Sequence, residues 1–382
     1  MCETPEVNAM DEDWSLLVTM LPARWRELAR ETGATKGLRQ DKDEESCLRV
    51  LLLHLVCGYS LRETVARARE AHLAELSDVA LLKRLRKSKE WLHALCRALL
   101  AERAPLARPV AARSLRLIDA TIVREPGPTG SSWRLHYSLR WPQLTCDHFA
   151  LMSHSGDGTG ESLQHFPVAR GEHLVADRAY AHYPGLAYVV ARGGQVTVRF
   201  NPRAIRLLDS AGKLFPLVTK LRSLKKTHQV ACWAVQVTGA HGKAPIAGRL
   251  CVVRKSQTAI AQAHHRVKRG ASCNGTDLQE ETLFYAEYVM VFTTVPASAL
   301  SAAGALELYR LRWQIELVFK RFKQLAQLGH LPKEDAESSQ AWLYGKLFAA
   351  LLTERLIQRA ESFSPWGHDV APPTESESLA GV

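Results

Sequence analysis

The chain has 382 residues, 46% hydrophobic and 23% charged, which describes a globular protein of two or three domains and excludes collagen-like and low-complexity classes. Its formal charge of +11 favours a polyanionic partner, nucleic acid first. The eight cysteines show no CxxC or Cys/His ligand spacing, so neither a zinc site nor a disulfide framework is expected.

The acidic start MCETPEVNAMDEDW lacks the basic and apolar regions of a signal peptide, and apolar runs such as Val50–Cys57 are too short to span a bilayer. No membrane association and a cytoplasmic location are expected. Residues 14–105 read as helical, with helices predicted near 14–29, 46–57, 60–71, 77–86 and 88–101 and with Ser60, Ser77 and Ser88 as N-caps. Lys83, Arg84, Arg86, Lys87 and Lys89 cluster around the 77–86 helix. They could face DNA at a helix-turn-helix-like junction, or simply complement a helix C-terminus. Pro105 to Ala112 reads as a linker.

From Arg113 the period becomes that of strands. LRLIDATIVRE (115–125) is apolar on both faces, as in a sheet covered on both sides, and Asp119 sits in its middle. A carboxylate in a buried strand is costly unless paired or metal-bound, so a site explains Asp119 better than a satisfied core acid. Segments 133–140 and 146–154 follow at hairpin spacing, with 126–130 as the first turn. EHLVADRAYAH (172–182) gives a short strand that ends at Asp177, a helix follows near 181–192, and QVTVRF (195–200) is a fifth strand.

Residues 201–276 carry fourteen Lys and Arg, among them Lys225, Lys226, Lys268 and Arg269, against the single acid Asp209, a net +13. Alternating segments at 230–238 and 249–255 suggest strands, so a β-rich basic insertion (201–282) interrupts the fold and its excess charge favours phosphate contacts. Trp233 suits a core position better than base stacking, and His264, His265 and the basic run after them read as a loop. A strand at 287–296 leads to one long helix capped by Ser298 or Ser301. A helix at 340–360 lies in a C-terminal helical segment (331–362), and the PPTESES composition of the 363–382 tail predicts disorder.

In YRLRWQIELVFKRFK (309–323), helical spacing puts Leu308, Leu311, Ile315, Val318, Phe319, Phe322 and Leu325 on one apolar stripe. It also puts Tyr309, Arg312, Glu316 and Lys323 on the flank of that stripe, one carboxylate between two cations and a phenol. Ordinary i,i+4 pairing would account for part of this, at about 0.2–0.5 kcal/mol per pair.

The spacing Tyr-x2-Arg-x3-Glu-x6-Lys resembles the signature of the insertion-sequence-4 family of DDE transposases. Asp177-Arg178-Ala179-Tyr180 looks like the family's second-aspartate motif and Asp119-Ala120-Thr121 like its first, with Ala120 where many members have Gly. The resemblance implies Asp119, Asp177 and Glu316 as catalytic and metal-binding acids, with Tyr309, Arg312, Lys323 and Arg178 as DNA contacts. It implies an α/β fold: a ribonuclease-H-like mixed five-stranded sheet (113–200 and 283–330), interrupted by the insertion and preceded by an all-α DNA-binding domain that recognises the transposon end. In that fold the first and fourth strands run parallel and adjacent, which would bring Asp119 beside Asp177. Three carboxylates need cations, and hard oxygen donors suit Mg²⁺, with Mn²⁺ tolerated. Two ions about 3.5–4 Å apart would clamp the scissile phosphate. Double-stranded DNA (terminal inverted repeats and target) and a homodimer in the synaptic complex are the implied partners, in a nucleoid-associated bacterial setting. A different two-metal nuclease on the same fold and a catalytically silent DNA-binding repressor are the alternatives; the intact acids speak against the second.

Overall fold

The computed structural model describes residues 9–37, 43–102, 114–124, 132–156, 158–239, 243–324, 328, 331–332 and 335–361. The linker at 105–112, the turn at 126–130 and the tail at 363–382 lie outside the described residues. Two compact units emerge: Met1–Leu106 with Val123–Ser131 and Arg321–Val382, and Ala107–Ile122 with Ser132–Lys320.

The described residues begin with six helices: α1 (Ala9–Met20), α2 (Trp25–Glu31), α3 (Glu44–Leu55), α4 (Leu61–Glu70), α5 (Asp78–Lys87) and α6 (Lys89–Ala101). The single helix expected over 14–29 is two, divided at Leu21–Arg24, where Pro22 has no amide hydrogen to continue the ladder. Ser60 and Ser77 accept from the amides of Glu63 and Ala80, as N-caps do. Ser88 does not cap α6, because its hydroxyl donates back to the Arg84 carbonyl. Arg84 and Arg86 turn inward, Arg84 onto the Ala34 carbonyl at 3.0 Å and Arg86 onto Asp335 at 2.9 Å. Lys83 and Lys87 of α5's basic run are exposed, and the Arg86 side chain stays 39% exposed within its pair with Asp335.

Among the described residues nine strands follow: β1 (Leu115–Arg124), β2 (Ser132–Trp141), β3 (Thr145–Ser153), β4 (His173–Ala176), β5 (Gln195–Arg199), β6 (Arg206–Leu208), β7 (Val230–Thr238), β8 (Ile246–Arg254) and β9 (Tyr288–Thr293). They form one mixed sheet in the order β3-β2-β1-β4-β5-β9-β8-β7-β6, which corrects the expected five-stranded sheet with a separate β-rich insertion. The reason is β9: it pairs antiparallel with β5 on one edge and with β8 on the other, so the inserted strands extend the sheet. Gly248 makes this seam possible, since a Cβ there would stand 2.5 Å from the Phe292 ring. β1, β4 and β5 are mutually parallel. α7 (Tyr183–Ala191) crosses from β4 to β5 and buries Leu186 and Val189 in the core that holds Ile118, Val198 and Phe292.

The insertion also holds α8 (Leu217–Arg222), α9 (Gln257–Asn274) and α10 (Glu280–Ala286). His264, His265 and the following basic residues are therefore in α9 and not in a loop. Ser256 caps that helix, and Ile260 is the residue it buries. Trp233 packs 5.9 Å from the Phe215 ring and is half-buried, at the margin of the core rather than within it.

The long helix expected to carry Glu316 is two helices, α11 (Ala302–Arg310), capped by Ser301, and α12 (Trp313–Gln324). The amides of Leu311, Arg312, Gln314 and Ile315 each bond three residues back, a tightened turn that interrupts the α-helix at Leu311 and Arg312. The last helix is α13 (Ala336–Glu361). In the first unit α13 packs against α6: Trp91 of α6 is fully buried with Nε1 on the Trp25 carbonyl at 3.0 Å, and Gly345 meets Leu55 so closely that a Cβ would fall 2.5 Å from it.

Candidate active site

Register brings the two aspartates together. Ile118 pairs with Ala176 across β1 and β4, and Ala176 with Val198 across β4 and β5. One residue further on, Asp119 in the middle of β1 is level with Asp177 and Arg199 at the carboxyl ends of β4 and β5. Ligand sites of open α/β sheets form at such ends.

Arg312 joins this row to α12. Its Nη1 lies 3.2 Å from Asp119 Oδ2, and its Nη2 donates to Glu316 Oε1. The Arg312 and Asp119 side chains are 13% and 15% exposed while Glu316 is 54% exposed, so the inner ion pair is shielded and the outer carboxylate is wet. Tyr309, buried at the end of α11, donates to Asp177 Oδ1 at 3.4 Å, and the Arg312 guanidinium lies 5.7 Å from the Tyr309 ring centre. Asp177 Oδ1 also accepts from the Arg178 amide, so this aspartate caps the turn that follows β4. The structure thus assembles Asp119, Asp177, Tyr309, Arg312 and Glu316.

The electrostatics follow from crowding. Burial pushes the Asp119 carboxyl up to about 7; the Ala120 amide and Arg312 oppose the rise, and the charges of Asp177 and Glu316 add to it. Burial works against the charge of Arg312 too, but Tyr309, Asp177, Glu316 and Asp119 hold it above the usual arginine range. Burial, then the Asp177 charge, raises the Tyr309 phenol.

Three carboxylates from β1, β4 and α12 are the hard oxygen donors that Mg²⁺ or Mn²⁺ prefers. Among the described residues no three His, Cys, Asp or Glu side chains stand close enough to share an ion. Between Asp119 and Glu316 stands the Arg312 guanidinium, which pairs with both. Three carboxylates are a donor chemistry that suits a divalent ion, and the elevated Asp119 is a group that a nearby cation would relieve.

The remaining residues are spread around this centre. Arg178 is exposed and donates to Asn201 Oδ1 at 2.9 Å; burial and the like charges of Arg199 and Arg203 lower its pKa. Lys255 is lowered by burial and by Arg199 and Arg266. Arg199, Arg203, Lys255 and Arg266 thus form a cationic neighbourhood that sequence reading did not single out at this centre; the signal for Arg199 was its place one residue past the β4–β5 register. A cleft of about 640 Å³ opens beside it, with Val230, Val253 and Val289 as its floor and Arg199, Arg310 and the half-exposed Trp313 among its walls. Lys323 is exposed in the last turn of α12, about two turns beyond Glu316. Lys225 and Lys226 are exposed between α8 and β7, and Lys268 and Arg269 are exposed on α9.

Residues 111–352 match the family model described as the transposase DDE domain. The chain belongs to the DDE transposases of insertion sequences. It is 32% identical over 364 residues to the putative transposase InsL of insertion sequence element IS186A of Escherichia coli strain K12, covering 94% of this chain and 98% of that one. The transposase of element IS421 of Escherichia coli is likewise 32% identical, over 365 residues, at 94% and 98% coverage. A shorter stretch of 46 residues, 12% of this chain and 10% of the relative, is 50% identical to the transposase of element IS231F of Bacillus thuringiensis subsp. israelensis. No helix of this DDE transposase among the described residues is long and apolar enough to cross a membrane.

Proposed function

We propose that this transposase is of the insertion-sequence-4 type and moves its element by cut-and-paste, with Asp119, Asp177 and Glu316 as the catalytic acids. The observation that carries the reading is the single guanidinium of Arg312 bridging Asp119 and Glu316 while Tyr309 holds Asp177. An acid in the middle of β1 level with one at the end of the adjacent parallel β4, a β-strand order of 3-2-1-4-5 and a third acid on a later helix support a ribonuclease-H-like core. The helices of 14–105 would recognise the transposon end, the core would span 113–200 and 283–330, and 201–282 would be its DNA-holding insertion, followed by the 331–362 helical segment.

Asp119, Asp177 and Glu316 would hold two Mg²⁺ ions, with Mn²⁺ accepted; when bound, such ions activate the attacking oxygen and stabilise the departing one. The protein's own groups do the rest. Arg312 offers a planar fork suited to a phosphate, and it leaves the carboxylates when DNA arrives. Tyr309 supplies a hydroxyl donor beside the cut, and Lys323 a point charge further along the backbone. Arg178 lies at the same strand ends, where a phosphate would replace Asn201 as its partner. Lys225, Lys226, Lys268 and Arg269 add sequence-independent grip, and two protomers bridged by paired ends would be the working unit.

The test is in vitro. Purified protein with Mg²⁺ should cut DNA that carries the inverted repeats flanking its own coding sequence, leave a 3′-hydroxyl at the element end, and join that end to a target. Equal cutting of DNA without repeats would make it a general nuclease.

A further inference from the structure

Cys232 and Cys251 are 19 positions apart and share no spacing motif, yet the sheet seats them side by side. They are direct partners in the antiparallel register of β7 and β8, and their Sγ atoms lie 3.7 Å apart. Residues directly opposite in such a ladder have Cα atoms about 4.5–5.5 Å apart, inside the roughly 4.4–6.8 Å that a disulfide spans. Drawing the sulfurs together to about 2.05 Å therefore asks for side-chain rotation, with the backbone pairing left in place.

The surroundings of the two thiols set an order of events. Cys232 is exposed, whereas Cys251 is fully buried. An oxidant in solution therefore meets Cys232 first. Burial, then the neighbouring Cys232, pushes the Cys251 thiol up to about 12, so it keeps its proton at neutral pH. Beside Cys232 stands Arg249: its Nη1 donates to Cys232 Sγ at 3.7 Å, while its Nε and Nη2 are held on the Val295 carbonyl at 3.0 and 2.8 Å. Exposure next to a fixed cation is the setting in which reactive cysteines occur. Two residues further along each strand, on the same face of the sheet, Val230 and Val253 pair in the floor of the cleft that Arg312 also lines.

We propose that Cys232 and Cys251 are a reversible oxidation site, which takes hydrogen peroxide as its oxidant and closes into a cross-strand disulfide. The Cys232 sulfur attacks one peroxide oxygen and the O–O bond breaks; the other oxygen leaves as water with the thiol proton, and a sulfenic acid remains. The Cys251 sulfur then attacks Cys232 Sγ. The S–S bond forms, the S–O bond breaks, and the hydroxyl leaves as a second water with the Cys251 proton. Two thiols are thereby oxidised by two electrons while one peroxide is reduced to two waters. An external dithiol reverses the step by exchange.

The test uses the full chain with its other accessible thiols removed by Cys2→Ser, Cys57→Ser and Cys273→Ser. After equimolar hydrogen peroxide, denaturation and alkylation, peptide mass mapping reads each remaining cysteine. Cys232 and Cys251 should lose their thiols together and to the same extent, in one linked peptide pair lighter by two hydrogens, and dithiothreitol should return both. Cys251→Ala in the same background cannot close the bond. It should accumulate the Cys232 sulfenic acid, trapped by dimedone at least roughly 10-fold above the level in the protein that keeps Cys251. Oxidation of Cys232 with Cys251 still free to alkylate overturns the proposal, as does survival of both thiols or equal dimedone labelling in the two proteins. The mapping needs no change at Cys251, so it decides the matter if Cys251→Ala misfolds. Neither readout depends on DNA cleavage, so the outcome is independent of the transposition reading.

Discussion

Arg312 Nη1 lies 3.2 Å from Asp119 Oδ2 although 193 positions separate the two residues. The contact ties the first strand of the sheet to the turn between α11 and α12. Because the same guanidinium also reaches Glu316, the two acids are coupled through one side chain.

On the proposed reading, removing an acid would remove a metal ligand more than a grip on DNA. Asp119→Ala, Asp177→Ala and Glu316→Ala should each lower cleavage of end DNA by at least roughly 10³-fold, while gel-shift affinity for the end stays within a few-fold of the parent. Cleavage retained by any one variant would take that residue out of the site.

Arg312→Lys should behave as a severe change, because a compact ammonium lacks the planar fork with which a guanidinium spans both carboxylates or grips a phosphate bidentately. A loss of roughly 10²-fold in single-turnover cleavage, about 2.7 kcal/mol, is expected. Parental rates with Lys would show that only the charge matters.

For Asp119 the sign of the pH dependence is set by a raised carboxyl. In metal-free protein the folded state retains a proton that the unfolded chain releases near pH 4. Stability contributed by this group therefore falls as pH rises from there to about 7, and stays lower above it. Asp119→Asn should flatten this slope and exceed the parent in stability at pH 8, by on the order of 2–4 kcal/mol. Denaturant melts of both proteins at pH 4.5 and pH 8 provide the check; parallel pH profiles would refute it.

Chelation with EDTA should stop cleavage, and Mg²⁺ or Mn²⁺ should restore it, since an all-carboxylate set prefers hard cations. Recovery with Zn²⁺ alone would indicate another metal chemistry.

Charge reversal at Lys225, Lys226, Lys268 and Arg269 should weaken paired-end assembly and flatten its dependence on salt, by about 0.9 in log–log slope for each phosphate that is no longer neutralised. The reversed protein should melt like the parent because all four side chains are exposed. An unchanged salt titration would show that this segment does not hold DNA.

Local pattern carried much of this architecture. The strands around Asp119 and Asp177 were legible because two-faced apolar runs leave few alternatives, and the spacing of Tyr309, Arg312 and Glu316 marked side chains that the structure brings to these strands. The break at Leu311 and Arg312 was not legible, because the segments on either side keep one continuous apolar period. Helix α9 was hidden for the opposite reason: Ile260 is the one residue it buries, so its basic run carried no stripe to read. Arg84 and Arg86 looked like surface charge because their partners, the Ala34 carbonyl and Asp335, are 50 and 249 positions away. Alternation identified the inserted strands, but pairing across such distances is invisible to a local pattern.

The seam at β9 has a consequence for synthesis. Thr197 and Thr293 meet across it 96 positions apart, and at about 5–20 residues per second a ribosome needs roughly 5–20 s to cover that interval. Until β9 emerges, β5 and β8 each present an open edge, the kind of backbone that recruits strands from other chains. A message cut short before Tyr288 would therefore release a protein with two sticky edges, prone to aggregate before it could compete for transposon ends.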